Sequence, residues 1–200
     1  MIMLNMVDGC SVPDPSVLFE GYARTKSGFA ANMDADKIKP LFESFIRLHK
    51  EPCFMILEVP TNAKDEPALC WGKGPLHKDV YYLDGLTPER AMEFLDVFGK
   101  WLIHDGLSSF GIGLHSGGNE IMRGKYNVVT VYTRDVSKYC GFFESHGVTE
   151  VGELITAWDY FTANTPGDSF CYSHNGIDIY GLIEHLKQYG LYFAERREME

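Results

Sequence analysis

Short apolar runs, separated by residues typical of turns, recur along the chain and predict β-strands. Gly28 can adopt the positive φ of a tight turn, so the segments on either side of it are expected to form a hairpin. The run CFMILEV at 53–59 is too short for a typical helix, which favours a buried strand. We predict strands at Val17–Arg24, Gly28–Asn32, Cys53–Val59, Val80–Leu83, Leu107–His115, Glu120–Arg123, Asn127–Thr133, Leu154–Thr162 and Leu191–Arg197.

Apolar residues at helical spacing predict about four helices. The clearest begins at Thr87 and Pro88, because threonine is a good N-cap and proline suits the first helical position. Pro40 is expected in the first turn of an earlier helix for the same reason. Two further helices are predicted at Val136–Ser145 and Ile179–Tyr189.

The order of these elements mixes hairpins with single helices and lacks a regular β-α-β-α alternation. This order favours an α+β fold, in which about four helices pack against a mostly antiparallel sheet of hairpins. No shift in composition marks a boundary, so residues 17–200 are predicted to form a single domain. Residues 1–16 contain Pro13 and Pro15 and are expected to be a loosely ordered leader.

Composition narrows the class of function. The chain has 28 acidic and 18 basic residues, and its formal net charge of −10 argues against direct binding of nucleic acid or an anionic membrane. No apolar stretch approaches the ~20 residues of a membrane span. The five cysteines are widely spaced, which favours reduced thiols and a cytoplasmic location. No Cys/His cluster has zinc-finger spacing, so we predict neither a metal nor a cofactor.

A long gap in positive charge is the most informative feature of the sequence. Residues 139–186 contain no lysine or arginine, although they contain seven carboxylates and nine aromatic residues. Uncompensated carboxylates attract a cationic partner, and tyrosine and tryptophan anchor interfaces. The predicted partner-binding residues are Glu144, Glu150, Glu153, Asp159, Asp168, Asp178, Trp158, Tyr160 and Tyr172. In the alternative interpretation, the aromatic residues fill the core and basic residues elsewhere neutralise the carboxylates.

A second set of residues could form a cleft for a small ligand or a reaction. His104, His115 and Glu120 lie near the glycine-rich hairpin at 111–119, and His77 lies in the polar loop Thr61–Lys78 together with Trp71. An imidazole beside a carboxylate can act as a general base or bind a metal. However, no two of these residues have the i, i+4 spacing of a helical zinc pair, and no nucleophile motif surrounds the nearby serines.

These observations favour a non-enzymatic, acidic binding protein that neutralises or regulates a basic protein partner by occlusion. Small inhibitor and immunity proteins share this general character, which is an analogy of class and not of sequence motif. The alternative is a small-ligand-binding protein or enzyme that uses the cleft near His104, His115 and the 61–78 loop. A structural subunit of a larger assembly is a third hypothesis, and the sequence makes no prediction of oligomeric state.

Overall fold

The computed structural model describes residues 4–67, 69, 72 and 74–199, and its architecture is α+β, as the sequence predicts. An eight-stranded sheet has the order β10-β5-β4-β6-β7-β8-β3-β2, and every neighbouring pair is antiparallel. A second sheet pairs two short strands, β1 and β9. The strands are β1 Cys10–Ser11, β2 Gly21–Thr25, β3 Gly28–Asn32, β4 Cys53–Pro60, β5 His77–Leu86, β6 Ser109–Leu114, β7 Glu120–Arg123, β8 Val128–Tyr132, β9 Asp168–Ser169 and β10 Tyr192–Glu198.

Among the described residues, four α-helices accompany the sheet: α1 Ala35–His49, α2 Pro88–His104, α3 Ala157–Tyr160 and α4 Ile179–Leu186. The long helices α1 and α2 pack against each other, and Phe42 of α1 stacks on Phe110 of β6 at a centroid distance of 4.5 Å. This stacking places the helices on one face of the sheet. The hydrophobic core therefore lies between that face and the helix layer.

Burial alternates along the strands and defines two different sheet faces. Ile121, Val129 and Val131 point towards the helices and are fully buried, whereas their neighbours Met122 and Thr130 remain partly exposed. This period-2 pattern is that of an antiparallel sheet with one face packed and the other accessible to solvent. We call the second face the open face. It carries Phe54, Ile56, Glu58, Tyr82, Glu120, Met122, Thr130 and Tyr132.

The N-terminal segment differs from the loose leader that the sequence predicted. Within its described part, residues 4–16, the side chains of Leu4, Val7 and Cys10 are buried in the core. Gly9 lies against Gly106, and a Cβ atom added to Gly106 would come within 1.7 Å of the Gly9 carbonyl oxygen. Prolines 13 and 15 suggested disorder, but buried apolar side chains and this close backbone contact hold the preceding residues in place.

Three local predictions are wrong in instructive ways. The helix α1 begins after Asp34, which caps it by accepting the Asp36 amide, so Pro40 lies inside the helix and not in its first turn. Val136–Ser145 contains 3₁₀ turns at Val136–Tyr139 and Glu144–His146 instead of a continuous helix. Residues 154–162 are not a strand, because the Asp159 carboxylate accepts the amide and hydroxyl of Thr156 and stabilises the single turn of α3.

Candidate functional site

A groove of about 390 Å³ lies where the segment 149–160 passes the ends of β2 and β3. Its apolar lining includes Phe19, Ile155 and Tyr160, which are 37%, 38% and 45% exposed. Glu20 and Glu153 line it as well, and no lysine or arginine is among its lining residues. We call it the acidic groove. Large apolar side chains are thus open to solvent beside carboxylates, a combination that suits a partner with apolar and cationic groups.

Hydrogen bonds fix both walls of the acidic groove. The buried side-chain amide of Asn32 donates to the carbonyl of Phe19 at 3.3 Å and to the carbonyl of Ile155 at 2.7 Å. Backbone bonds from Tyr22 to Thr149 and from Val151 to Tyr22 hold the second wall along the edge of β2. The groove is therefore built into the fold and does not depend on a partner to form it.

The charges of the two glutamates in the groove are not equivalent. The Glu20 carboxylate accepts from the Lys37 ammonium at 2.5 Å and from the Asp34 amide at 3.0 Å. The exposed Glu153 carboxylate has no hydrogen bond or ion pair among the described residues. Glu153 is accordingly the carboxylate in this groove that a cationic partner can reach without displacing an internal ion pair.

Tyr160 extends the groove, whereas Trp158 faces a different cavity. Tyr160 and Val17 also line an adjoining apolar cavity of about 190 Å³. Trp158 is 55% exposed and lines a cavity of about 270 Å³ at the base of the open face. Glu58, Lys78 and Lys125 line that cavity too. The one-turn helix α3 therefore places its two predicted anchors in separate sites, and lysines line the site of Trp158 but not the acidic groove at Tyr160.

The remaining predicted partner-binding residues are divided between other parts of the surface. Glu144 accepts a hydrogen bond from the Tyr22 hydroxyl, and Glu150 pairs with Arg24 at 3.2 Å, both beside the outer edge of β2. The bond from Tyr22 lowers the pKa of Glu144. Asp159 caps α3, where its hydrogen bonds to Thr156 lower its pKa. These carboxylates take part in local hydrogen bonds and ion pairs, and the pairing of Glu150 with Arg24 is the kind of neutralisation that the alternative interpretation expected.

A further group lies beside the N-terminal segment and the end of α2. Asp168 belongs to β9 and pairs with Ser11. Asp178 caps α4 by accepting the Gly181 amide at 2.8 Å. The backbone amide of Tyr172 donates a hydrogen bond to the carboxylate of the buried Asp105. The centroid of the Tyr172 ring lies 5.6 Å from the centroid of the His104 ring. Only Glu153 and Tyr160, of the nine predicted residues, line the acidic groove.

The four residues of the predicted cleft do not come together. His77 contacts Glu66 through Nδ1 at 2.6 Å, and His104 accepts the Asp8 amide through Nδ1 at 3.3 Å. His104 and His115 flank β6, whose six residues span roughly 20 Å. His115 lies 3.6 Å from Asp84. No group of three or more metal-ligating side chains occurs among the described residues, and Trp71 lies outside them.

Sequence reasoning missed half of the acidic groove. Phe19 and Glu20 precede β2, more than 130 positions before Glu153 and Ile155, and their proximity depends on the sheet topology. The gap in positive charge over residues 139–186 gave the available signal, and it covers Glu153 and Tyr160 but neither Phe19 nor Glu20. No helix of the part of the chain that the structure describes is long and apolar enough to cross a membrane.

Comparisons of this chain with protein-family models, curated proteins and solved structures found no match. The geometry of the described residues therefore carries the functional argument.

Proposed function

We propose that this protein binds a basic protein partner through the acidic groove and regulates or neutralises that partner by occlusion. The observation that supports this proposal is the exposure of Phe19, Ile155 and Tyr160 around the uncompensated carboxylate of Glu153. An apolar side chain of the partner would fill the groove, and a neighbouring lysine or arginine would pair with Glu153. Aromatic anchors surrounded by complementary charge are typical of binding hot spots.

The shape of the surface favours a protein segment over a small molecule. The acidic groove adjoins the apolar cavity that shares Val17 and Tyr160, and together they form a track with openings to solvent. Small-ligand sites usually bury most of the ligand surface, and a few polar groups of the protein point at the ligand. The cleft hypothesis for His77, His104, His115 and Glu120 has less support, because the three histidines contact different residues and Glu120 has no hydrogen bond or ion pair among the described residues.

Capture at low salt with matched variants tests this proposal. The immobilised wild-type protein is compared with Glu153→Lys, Tyr160→Ala and the control Glu93→Lys, which changes an exposed glutamate of α2. A basic protein should be retained from a lysate of the source organism by the wild type and the control. The purified partner should then bind Glu153→Lys about tenfold more weakly, because an attractive charge becomes a repulsive one.

Circular dichroism checks that each variant is folded, and calorimetry measures the affinities. A partner that binds all four proteins equally would refute the groove as its binding site. Retention of no basic protein by the wild type would count against the whole proposal.

A further inference from the structure

Glu120 occupies an unusual electrostatic position on the open face. It pairs in register with Gly113 on β6 and Tyr132 on β8. Its side chain therefore has the phenol ring of Tyr132 on one side and, on the other, a glycine that has no side chain. The Phe54 ring covers Gly113, where an added Cβ would come within 2.3 Å of it. The carboxylate of Glu120 is thus flanked by aromatic rings on the open face, at the first residue of β7.

Within the described part of the chain, no lysine or arginine pairs with this carboxylate. Glu120 has no hydrogen bond or ion pair among the described residues. By contrast, Glu58 on the same face accepts from Lys78 at 2.8 Å and from Arg197 at 3.3 Å. Burial, and then the charge of Glu58, raise the pKa of Glu120. Its ionised form is therefore destabilised in the free protein, and a cation supplied from outside would relieve that cost.

We infer that the open face is a second contact surface for the same basic partner, on which Glu120 pairs with an arginine side chain of that partner. This inference rests on the proposed function, because it assumes a basic protein partner. The aromatic rings specify the occupant: a planar guanidinium can stack on Phe54 or Tyr132 while it donates to a carboxylate. A lysine ammonium is more strongly hydrated and gains less from such a site.

The position of the open face makes simultaneous contact feasible. The segment 149–160 reaches the base of the open face at Trp158, which lines a cavity together with Glu58, Lys78 and Lys125. The charge of Lys78 is paired with Glu58 at 2.8 Å. Tyr132 is 41% exposed at the level of Glu120. A partner seated in the acidic groove can therefore extend over the sheet past Trp158 towards Glu120.

The variant Glu120→Gln distinguishes an effect on binding from an effect on folding, because we expect it to stabilise the free protein and to weaken binding. Removing an uncompensated, partly buried charge should raise the free energy of unfolding of the free protein at neutral pH. The same change should weaken binding of a hexa-arginine peptide about tenfold, since the ion pair is lost. Glu93→Gln, an exposed glutamate on the helix side of the sheet, is the control and should change neither quantity appreciably.

NMR of protein with ¹³C-labelled glutamate carboxyl groups locates the contact. Hexa-arginine should shift the Glu120 carboxyl resonance, and hexa-lysine should shift it less. If Glu120→Gln stabilises the protein and leaves peptide binding unchanged while Glu153→Lys weakens it, the inference is overturned and the proposed function stands. If neither Glu120→Gln nor Glu153→Lys affects peptide binding, both the inference and the proposed function are refuted. A Glu120 shift that depends on protein concentration without peptide would also overturn the inference, in favour of a second copy of the chain.

Discussion

His49 illustrates how the fold controls the charge of a single residue. Its side chain is 1% exposed, and its ring contacts the Tyr139 hydroxyl at 2.9 Å and the Lys138 ammonium at 2.8 Å. Burial, with a contribution from the charge of Lys138, lowers the pKa of His49 from 6.5 to about 4. The imidazole is therefore neutral in the folded protein over a range in which it is protonated in the unfolded chain.

This difference predicts a loss of stability in acid. Between pH 6.5 and about 4 the unfolded chain binds more protons at His49 than the folded protein does. The free energy of unfolding should consequently fall as the pH falls through this range, and His49→Gln should reduce that dependence. Urea unfolding of both proteins at about pH 7 and about pH 4.5 measures it. Equal dependence on pH in the two proteins would show that His49 does not contribute to the loss.

Residues of the acidic groove were predictable only where the pattern of charge along the sequence pointed to them. The gap in positive charge identified Glu153 and Tyr160, but it gave no information on Phe19, which reaches the groove through the sheet topology. Glu120 was singled out as a potential catalytic group. Its structural significance is different: among the described residues it has no ion-pair partner, whereas Lys78 and Arg197 pair with Glu58 on the same face, and this arrangement depends on strand register and cannot be read from neighbouring residues.

At the scale of elements, the N-terminal segment offers the sharpest test of packing. Leu4 and Val7 are buried, so the double variant Leu4→Ala/Val7→Ala should lose about 3 to 6 kcal/mol of unfolding free energy through lost burial and cavity formation. Val97→Ala is the control, because this α2 valine is 61% exposed and should change stability little. Thermal and urea unfolding provide the measurement, and a double variant as stable as the control would mean that the segment is a loose leader after all.

The elements that sequence patterns identified correctly have strong local signals. The hairpin of β2 and β3 turns before Gly28, β4 is apolar except for Glu58, and Thr87 caps α2 by accepting a hydrogen bond from the Arg90 amide. The segment 154–162 failed because apolar and aromatic content alone suggested a strand. The spacing of Thr156 and Asp159 is that of a capping box. Their local hydrogen bonds stabilise a helical turn, which competes with the formation of a strand.

At the scale of the whole molecule, the acidic charge predicts how a partner would arrive. The net charge of −10 produces a field that accelerates encounter with a basic protein, and salt screens that field. The association rate with the purified partner should fall at least about tenfold between ~0.02 M and ~0.5 M salt, with a smaller change in dissociation. Stopped-flow fluorescence can follow both rates. An association rate that is independent of salt would argue against electrostatic steering.

The contact between the N-terminal segment and residues 168–170 has a consequence for biosynthesis. Gly9 accepts a hydrogen bond from the Phe170 amide, and β1 pairs with β9, so this segment receives these partners only after residues 168–170 have been made. During translation, Leu4 and Val7 leave the ribosome long before their native environment is complete. Closing a loop of this length also slows folding. The nascent chain should therefore depend on chaperones for longer than a protein of equal size whose first helix folds locally.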